Sequence, residues 1–301
     1  MARRHLLMLL ALASIWGASF MFIKVGVRGG LAPSTLVLLR LALGALTLAP
    51  IVLLRVGTEN AWRQLRSAAG PLFVTGAVNS AIPIWSLSWA ETRIDSGLAA
   101  VIQASAPLFT AVLALAFVRS ERVRGARLGG LLVGFAGVTL LVGVQPHGKV
   151  TAGLAVVFSA LCYAIAALYA ARALRHVSPL VTALGALTAA SLLMLPGGVA
   201  QWPTDVPSAK VLASVLVLGV VGTGFAYVLY YGLLAGPGAS YSILVTYLVP
   251  AIALGYGVLL LGEPLTVAAV AGLALVLLGV ALGTGTVRLR RQRVAATETP
   301  A

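Results

Sequence analysis

The chain consists of long apolar runs separated by short polar connections. Each run is continuous, without the apolar–polar alternation of a barrel strand, and approaches the ~20 residues that a helix needs to cross a bilayer. The ten runs lie at about 6–26, 34–54, 69–89, 97–118, 128–145, 152–171, 179–199, 211–233, 239–261 and 265–286. The pattern predicts an all-α integral membrane protein with ten transmembrane helices.

Positive charges are divided unequally between the two sides of these runs. If the N-terminus is cytoplasmic, fifteen Lys and Arg residues fall on the cytoplasmic side and five on the other. This is the bias of the positive-inside rule, so both termini are predicted to be cytoplasmic, with a basic tail at 287–301. The same bias accounts for the net charge of +14. We therefore expect a lipid bilayer as partner and no nucleic acid.

The sequence also repeats itself. Shifted by 146 positions, "PSTLVLLRLALGALTLAP" (33–50) falls on "PLVTALGALTAASLLMLP" (179–196). A shift of 142 places Glu121, Gly130 and Gly137 on Glu263, Gly272 and Gly279. Each half holds five predicted helices, and an odd number inverts the second half. The prediction is two inverted five-helix repeats, 6–145 and 152–286, which is typical of secondary transporters with a substrate site near the membrane midplane.

Several segments resemble the EamA family of the drug/metabolite transporter superfamily. They are "WGASF…K" in the first run, Arg40 in the second, "SAPLFTAVLALAFVRSE", its counterpart "LVPAIALGYGVLLLGEPLT", and "GTGFAYVLYYGLL". The resemblance covers roughly residues 6–286. It implies a ten-helix carrier with a central cavity lined by helices 1, 3, 4, 6, 8 and 9. Members of that family export amino acids or other metabolites, and relatives carry nucleotide sugars or drugs. The sequence departs from the pattern at Arg119, where the second copy has "LLGE".

Polar and aromatic side chains within the runs are candidates for substrate contact, because they are costly in a bilayer unless they face a cavity or another helix. The candidates are Trp16, Ser19, Phe20, Asn79, Trp85, Gln103, Tyr163, Tyr227 and Tyr247. Tyr230 and Tyr231 fit either a cavity or an interfacial aromatic belt. Pro83, Pro107 and Pro250 are predicted to kink or break their helices and to free backbone carbonyls there.

Two cations, Lys24 and Arg40, lie within the predicted helices. One hypothesis is that one or both attract or hold the carboxylate of an amino acid or a related anion. The alternative is structural: Lys24 snorkels to the outer headgroups, and Arg40 ties helices together through backbone carbonyls. The sequence leaves both alternatives open.

Acidic groups and histidines are missing from the predicted helices. Proton-coupled carriers usually hold such a group in the membrane, so we expect facilitated diffusion or exchange without obligatory proton coupling. An intramembrane enzyme would need a nucleophile with a base, or metal ligands, at that depth. We therefore expect no catalytic activity, no metal site and no cofactor. The single cysteine, Cys162, excludes an intramolecular disulfide.

These observations predict a transporter of a bacterial-type cytoplasmic (inner) membrane that exports small metabolites by alternating access. Amino acids or related amphipathic compounds are the favoured substrates. A drug, nucleotide-sugar or nucleoside carrier is the alternative, and a non-transport membrane receptor is a remote one. Because both halves are fused in one chain, a monomer is sufficient for such a mechanism.

Overall fold

The regular elements of the chain are helices. A computed structural model describes residues 3–117, 126–143 and 149–284, and within these residues it contains no strand. Glu121 and the tail predicted at 287–301 lie outside the described residues, as do the ends of several predicted runs.

Fifteen α-helices and two π-helical segments, π1 and π2, follow one another in the described part of the chain. They are α1 (Arg3–Arg28), α2 (Pro33–Val56), α3 (Thr58–Ser67), α4 (Ala69–Gly76), π1 (Ala77–Ala81), α5 (Ile82–Glu91), α6 (Ser96–Gln103), α7 (Ala106–Phe117), α8 (Ala126–Gly143), α9 (Val150–Ala173), α10 (Pro179–Ala200), α11 (Ala209–Leu216), π2 (Val217–Phe225), α12 (Ala226–Ala235), α13 (Ala239–Ser242), α14 (Leu244–Leu261) and α15 (Val267–Gly283).

Many of these helices suit a bilayer. In the described residues, seven helical stretches are long and apolar enough to cross a membrane: Arg3–Arg28, Pro33–Val56, Ser96–Ala114, Val150–Ala173, Pro179–Ala200, Ala209–Ala235 and Leu244–Leu261. Large apolar side chains also point outward, and Leu54 and Val267 are each 87% exposed while Leu259 is 81% exposed. Helices satisfy their own backbone hydrogen bonds, so they tolerate such surroundings in lipid. The chain is a helical integral membrane protein.

The bundle is held together by close helix pairs. The most extensive pairs are α8 with α15, α2 with α10, and α1 with α14, while α5 packs mainly against α9. Long side chains such as Leu36, Leu41 and Leu48 of α2 and Leu187 of α10 are fully buried in the apolar core of the bundle.

Glycines let α8 and α15 approach backbone to backbone, as the spacing of Gly130, Gly134 and Gly137 predicts. A Cβ atom built on Gly130 would lie 2.6 Å from the backbone nitrogen of Gly283. One built on Gly279 would collide with the backbone of Gly134 and lie 2.8 Å from the Gly130 carbonyl oxygen. Small residues at three- and four-residue spacing therefore bring these two helices into backbone contact.

Changing Gly279 to alanine should therefore destabilise the bundle, because the new methyl group meets backbone that cannot rotate away. We expect the free energy of unfolding to fall by about 1–3 kcal/mol, the usual range for overpacking. Thermal unfolding of the purified protein in detergent measures this loss. Gly129, around which a built Cβ meets nothing within 4 Å, supplies the control, and an equal loss in Gly129→Ala would contradict the argument.

The three prolines have different consequences for their helices. Pro107 is the second residue of α7, directly after the turn that ends α6. Pro83 follows π1 by two residues, and the helix continues through α5. α14 is not broken at Pro250, which lies within it. The missing hydrogen bond is tolerated there because one freed carbonyl can be satisfied by neighbouring groups in a packed bundle.

Candidate functional site

Arg40 lies in the interior of the bundle, on the face of α2 that packs against π2. It is 9% exposed, and its Nε donates a hydrogen bond to Thr223 Oγ1 at 3.1 Å. The Thr223 hydroxyl in turn donates to the Leu218 carbonyl at 2.9 Å, five residues back along the wide π2 turn. Gly219 permits this approach, because a Cβ there would lie 3.1 Å from the Arg40 carbonyl oxygen.

Two phenols and one carboxylate lie within electrostatic range of the Arg40 guanidinium. They belong to Tyr163 of α9, Tyr227 of α12 and Glu91 of α5. Among the described residues, Thr223 is the side chain to which Arg40 donates a hydrogen bond, so its terminal nitrogens are not committed to a protein acceptor. A buried guanidinium with unused donors in a fixed fork is suited to a carboxylate.

Aromatic rings connect α1 with π1 across the same region. Asn79 of π1 donates from Nδ2 to the Tyr227 hydroxyl at 3.5 Å. Tyr227 stacks on Tyr231 with ring centroids 5.9 Å apart, and Tyr231 meets Tyr230 edge-on at 5.4 Å. Tyr230 then contacts Trp16 at 5.5 Å. We call these four rings, Trp16, Tyr227, Tyr230 and Tyr231, the aromatic chain.

Ser19 and Phe20 lie beside this region but contact different neighbours. The Ser19 hydroxyl donates to the Ile15 carbonyl at 3.1 Å, and a Cβ built on Gly222 would lie 3.0 Å from it. Ser19 borders a cleft of about 200 Å³ between α1, π2 and Tyr256 of α14. Phe20 is 7% exposed and packs in the main apolar core.

The remaining candidates are more scattered. Gln103 ends α6, and its Oε1 is buried without a hydrogen-bond partner. Tyr247 packs against the main core. Trp85 is 40% exposed, on the same helix as the exposed Ile82. The structure thus brings Trp16, Arg40, Asn79, Tyr163 and Tyr227 to one region, and their contact with a substrate stays a prediction.

Lys24 belongs to a second group, at the end of the bundle where α1 and α5 terminate. It is 4% exposed, and its ammonium donates to the carbonyl oxygens of Glu91 and Ile94, each at 2.6 Å. A cation is favourable at the C-terminal end of a helix, where the carbonyls are unpaired. Of the two alternatives for Lys24, snorkelling to the headgroups is wrong, because these two carbonyls hold its ammonium inside the protein; contact with a substrate anion stays a prediction.

Glu263 lies at the same end, in the connection between α14 and α15. Its carboxylate accepts from the backbone nitrogen of Ser96 at 2.9 Å, the Ser96 hydroxyl at 2.9 Å and the backbone nitrogen of Gly97 at 3.0 Å. These are donors of the first turn of α6, where an anion is favoured. Gly262 turns the chain with φ of +65° just before it, and a Cβ on Gly257 would collide with the carboxylate.

Glu91 is the third buried charge-bearing group at this end. It is the last residue of α5 and is 0% exposed, and neither carboxylate oxygen has a hydrogen-bond partner. The expectation that the helices hold no carboxylate is wrong here, because the helix extends past the apolar run to Glu91 and folds it inside. We call Lys24, Glu91 and Glu263, with the half-exposed ion pair of Arg28 and Asp95 at 4.0 Å, the charged end cluster.

Sequence reasoning missed Glu91 and Glu263 because both stand at the edges of apolar runs, where a charge is normally solvated. Thr223 was missed since a threonine in an apolar run is common. A signal existed for Glu263: it follows a glycine and precedes a proline at the end of the second copy's matched block.

Known proteins resemble this chain along most of its length. A transporter of Archaeoglobus fulgidus, described as uncharacterized, is 30% identical and covers 89% of this chain and 94% of its own. A probable terminal-alkyne amino-acid exporter of Streptantibioticus cattleyicolor is 29% identical, with 89% of each chain covered. The inner membrane transporter YedA of Escherichia coli, also described as uncharacterized, is 27% identical over 86% of this chain and 83% of its own.

A solved structure and a family assignment agree with these relatives. A protein crystal structure superposes with a TM-score of 0.66 at 19% identity, over 95% of this chain and 99% of that one, and so shares the fold. The sequence matches the EamA-like transporter family twice, over residues 3–143 and 150–284. The chain therefore belongs to the EamA-like transporter family.

Proposed function

We propose that this protein is a secondary transporter that exports amino acids or related small amphipathic metabolites by alternating access. The observation that carries the proposal is the buried Arg40, held at Nε by Thr223, with the phenols of Tyr163 and Tyr227 within electrostatic range. A cation of this kind recognises a substrate carboxylate, while the aromatic chain offers an apolar wall with fixed polar groups. Sites for small molecules have this composition.

Two inverted five-helix repeats, 6–145 and 152–286, are part of the proposal. Helix pairing supports it: α2 with α10 and α8 with α15 join equivalent helices of the two halves, and the α1–α14 pair has its counterpart in α9 with α6 and α7. The two family matches divide the chain in the same place. Ten transmembrane helices follow if α4–α5, α8 and α15 also cross the membrane.

The glycine contacts support the same symmetry at atomic detail. A Cβ on Gly76 would lie 2.5 Å from the carbonyl oxygen of Ala186, as one on Gly219 would lie 3.1 Å from that of Arg40. Gly76 and Gly219 are 143 residues apart, and Arg40 and Ala186 are 146 apart. At this pair of equivalent positions the first half has Arg40 and the second half has Ala186.

Orientation and location complete the proposal. On the positive-inside rule, we propose that both termini lie in the cytoplasm. The membrane is the cytoplasmic (inner) membrane, as named for the Escherichia coli relative. In this orientation the charged end cluster faces outward. One chain contains both halves, so a monomer is sufficient.

Amino acids are the substrate class that the observations favour. The Streptantibioticus cattleyicolor relative is named as a probable amino-acid exporter, and one buried Arg suits one carboxylate. A nucleotide-sugar would need more cations than this interior offers in the described residues. Drugs without a carboxylate would leave Arg40 unpaired, which is costly for a buried charge.

Counterflow in proteoliposomes tests the function. Vesicles loaded with one unlabelled compound each, from a panel of amino acids, nucleosides, nucleotide sugars and cationic dyes, are placed in a trace of the same labelled compound. We expect transient accumulation for one or more amino acids and none in protein-free vesicles. Accumulation of a dye or nucleotide sugar alone would reject the amino-acid assignment, and accumulation of nothing would reject transport of these classes.

Tyr227→Phe tests the contribution of the phenol at the site. The ring and its stacking on Tyr231 remain, while the acceptor for Asn79 is lost. We expect KM for the transported amino acid to rise about fivefold to tenfold, the equivalent of one hydrogen bond, with an unchanged melting temperature. Tyr169→Phe, on α9 outside the aromatic chain, is the control. A fall in melting temperature without a change in KM would assign Tyr227 a structural role.

A further inference from the structure

We propose that Glu91 is a proton-binding site, and that uptake and release of a proton there form a step of the transport cycle. The proposal rests on the transport function above and makes one step of its cycle depend on pH. Lys24, Glu91 and Glu263 are all buried at this end of the bundle; we take this arrangement as the closed one, in which the carboxylate binds its proton.

The burial of Glu91 carries the argument. The residue is 0% exposed, and neither of its carboxylate oxygens has a hydrogen-bond partner. Glu263, by contrast, receives three hydrogen bonds a short distance away. An ionised carboxylate removed from water requires donors of that kind. In this arrangement Glu263 has such hydrogen-bond donors and Glu91 has none in the described part of the chain. The surroundings of Glu91 therefore favour the protonated, neutral form of its carboxyl group.

The charges around Glu91 do not replace these donors. Lys24 of α1 directs its ammonium to two backbone carbonyls. Arg28 of α1, Arg40 of α2 and Glu263 act on the carboxylate only through space. From α9, which packs on α5, the nearest charge along the chain is Lys149, whose side chain is exposed. No described residue forms an ion pair with Glu91 within 4.0 Å.

Ser88 extends the site by one helical turn. It lies three residues before Glu91, on the same face of α5, and is also 0% exposed. Its hydroxyl has no hydrogen-bond partner. The structure therefore places two buried, unpartnered polar side chains one helical turn apart, and the Ser88 hydroxyl is a group that could exchange a proton with the acid.

Alternation connects this proton to transport. The charged end cluster joins the two halves, because Glu263 of the α14–α15 connection holds the first turn of α6. Separation of these parts would admit water to Glu91, and the acid O–H bond would break as its proton passes to that water. On closure the carboxylate takes a proton from solution at this end and forms the O–H bond again.

Infrared difference spectroscopy tests the protonation state directly. The chain has seven Asp and Glu residues, so the carbonyl stretch of a protonated acid can be assigned by substitution. At neutral pH we expect this band in the wild-type protein, its loss in Glu91→Gln, and its retention in Glu263→Gln and Glu59→Gln. Absence of the band from the wild type would overturn the proposal, whatever the transport assay shows.

Counterflow at different symmetric pH values tests the role in the cycle. For the amino acid that the panel identifies, we expect the wild-type counterflow rate to fall about tenfold as the pH is raised above its optimum. The counterflow rate of Glu91→Gln should be independent of pH. Glu59→Gln, at an exposed residue of α3, should follow the wild type. The same alkaline fall in Glu91→Gln would overturn the proposal and leave transport intact.

A third readout covers a Glu91→Gln variant that folds but does not transport. Substrate is added to the protein in weakly buffered detergent solution, and the number of protons exchanged per chain is read from the pH change. We expect about one proton per chain for the wild type and none for the variant. An equal proton change in both proteins would overturn the proposal. If the wild type shows the infrared band but transports nothing in the panel, the proposed function fails while the proton site stands.

Discussion

Changing Arg40 to glutamine is expected to lower kcat/KM for carboxylate substrates about 100-fold. The guanidinium is buried and its terminal nitrogens have no acceptor among the described residues, so a bound carboxylate gains charge-assisted hydrogen bonds that glutamine does not restore. A loss of this size corresponds to about 2.7 kcal/mol. The measurement is initial uptake of an amino acid and of its uncharged analogue by the same proteoliposomes.

Uncharged analogues separate a substrate contact from a structural role of Arg40. We expect their transport to fall less than about tenfold in Arg40→Gln. Arg40→Lys is the matched control for charge, because it keeps the cation and loses the planar fork; it should retain intermediate activity. An equal loss for the acid and the uncharged analogue would show that Arg40 acts by joining α2 to π2.

Glu263→Ala is expected to be the most destabilising single substitution among those considered. It removes a buried carboxylate with three hydrogen bonds and leaves the donors of Ser96 and Gly97 unpaired. Loss of one partner from a buried charged network costs about 3–5 kcal/mol. Thermal unfolding in detergent should show a melting temperature lower by roughly 6–12 °C.

Two variants make that result specific. Glu263→Gln keeps the shape and one acceptor oxygen, so its loss should be smaller. Glu59→Ala removes a glutamate from the exposed first turn of α3 and should leave the melting temperature within about 1 °C, as surface substitutions usually do. A melting temperature of Glu263→Ala equal to that of the wild type would show that the three hydrogen bonds do not stabilise the position of α6.

The membrane-spanning character of the protein was predictable because apolar runs encode it residue by residue. The glycine contacts of α8 and α15 were also predictable, since their spacing repeats along the sequence. The burial of charged side chains was not predictable from the sequence. Lys24, Glu91 and Glu263 stand near the ends of apolar runs, and only the meeting of three chain segments at one end of the bundle removes them from water.

Local rules also failed where neighbours decide the outcome. Pro250 looked like a break in the helix, but α14 packs closely on α1 and continues through it. Arg40 was correctly singled out as an unusual charge. Its partner Thr223 could not be found from sequence, because the wide turn of π2 directs that hydroxyl toward α2.

The two π segments also set the rotational phase of the helices that follow them. A π turn contains one residue more than an α-helical turn. Each inserted residue rotates the helix that follows by about 100° about its axis, relative to the helix that precedes it. The faces of Tyr227 and Tyr231 on α12 and of Glu91 on α5 therefore depend on residues inserted upstream at π2 and π1. A single deletion in π2 would leave Tyr227 and Tyr231 in the sequence and turn them to another face of the bundle, and a deletion in π1 would do the same to Glu91.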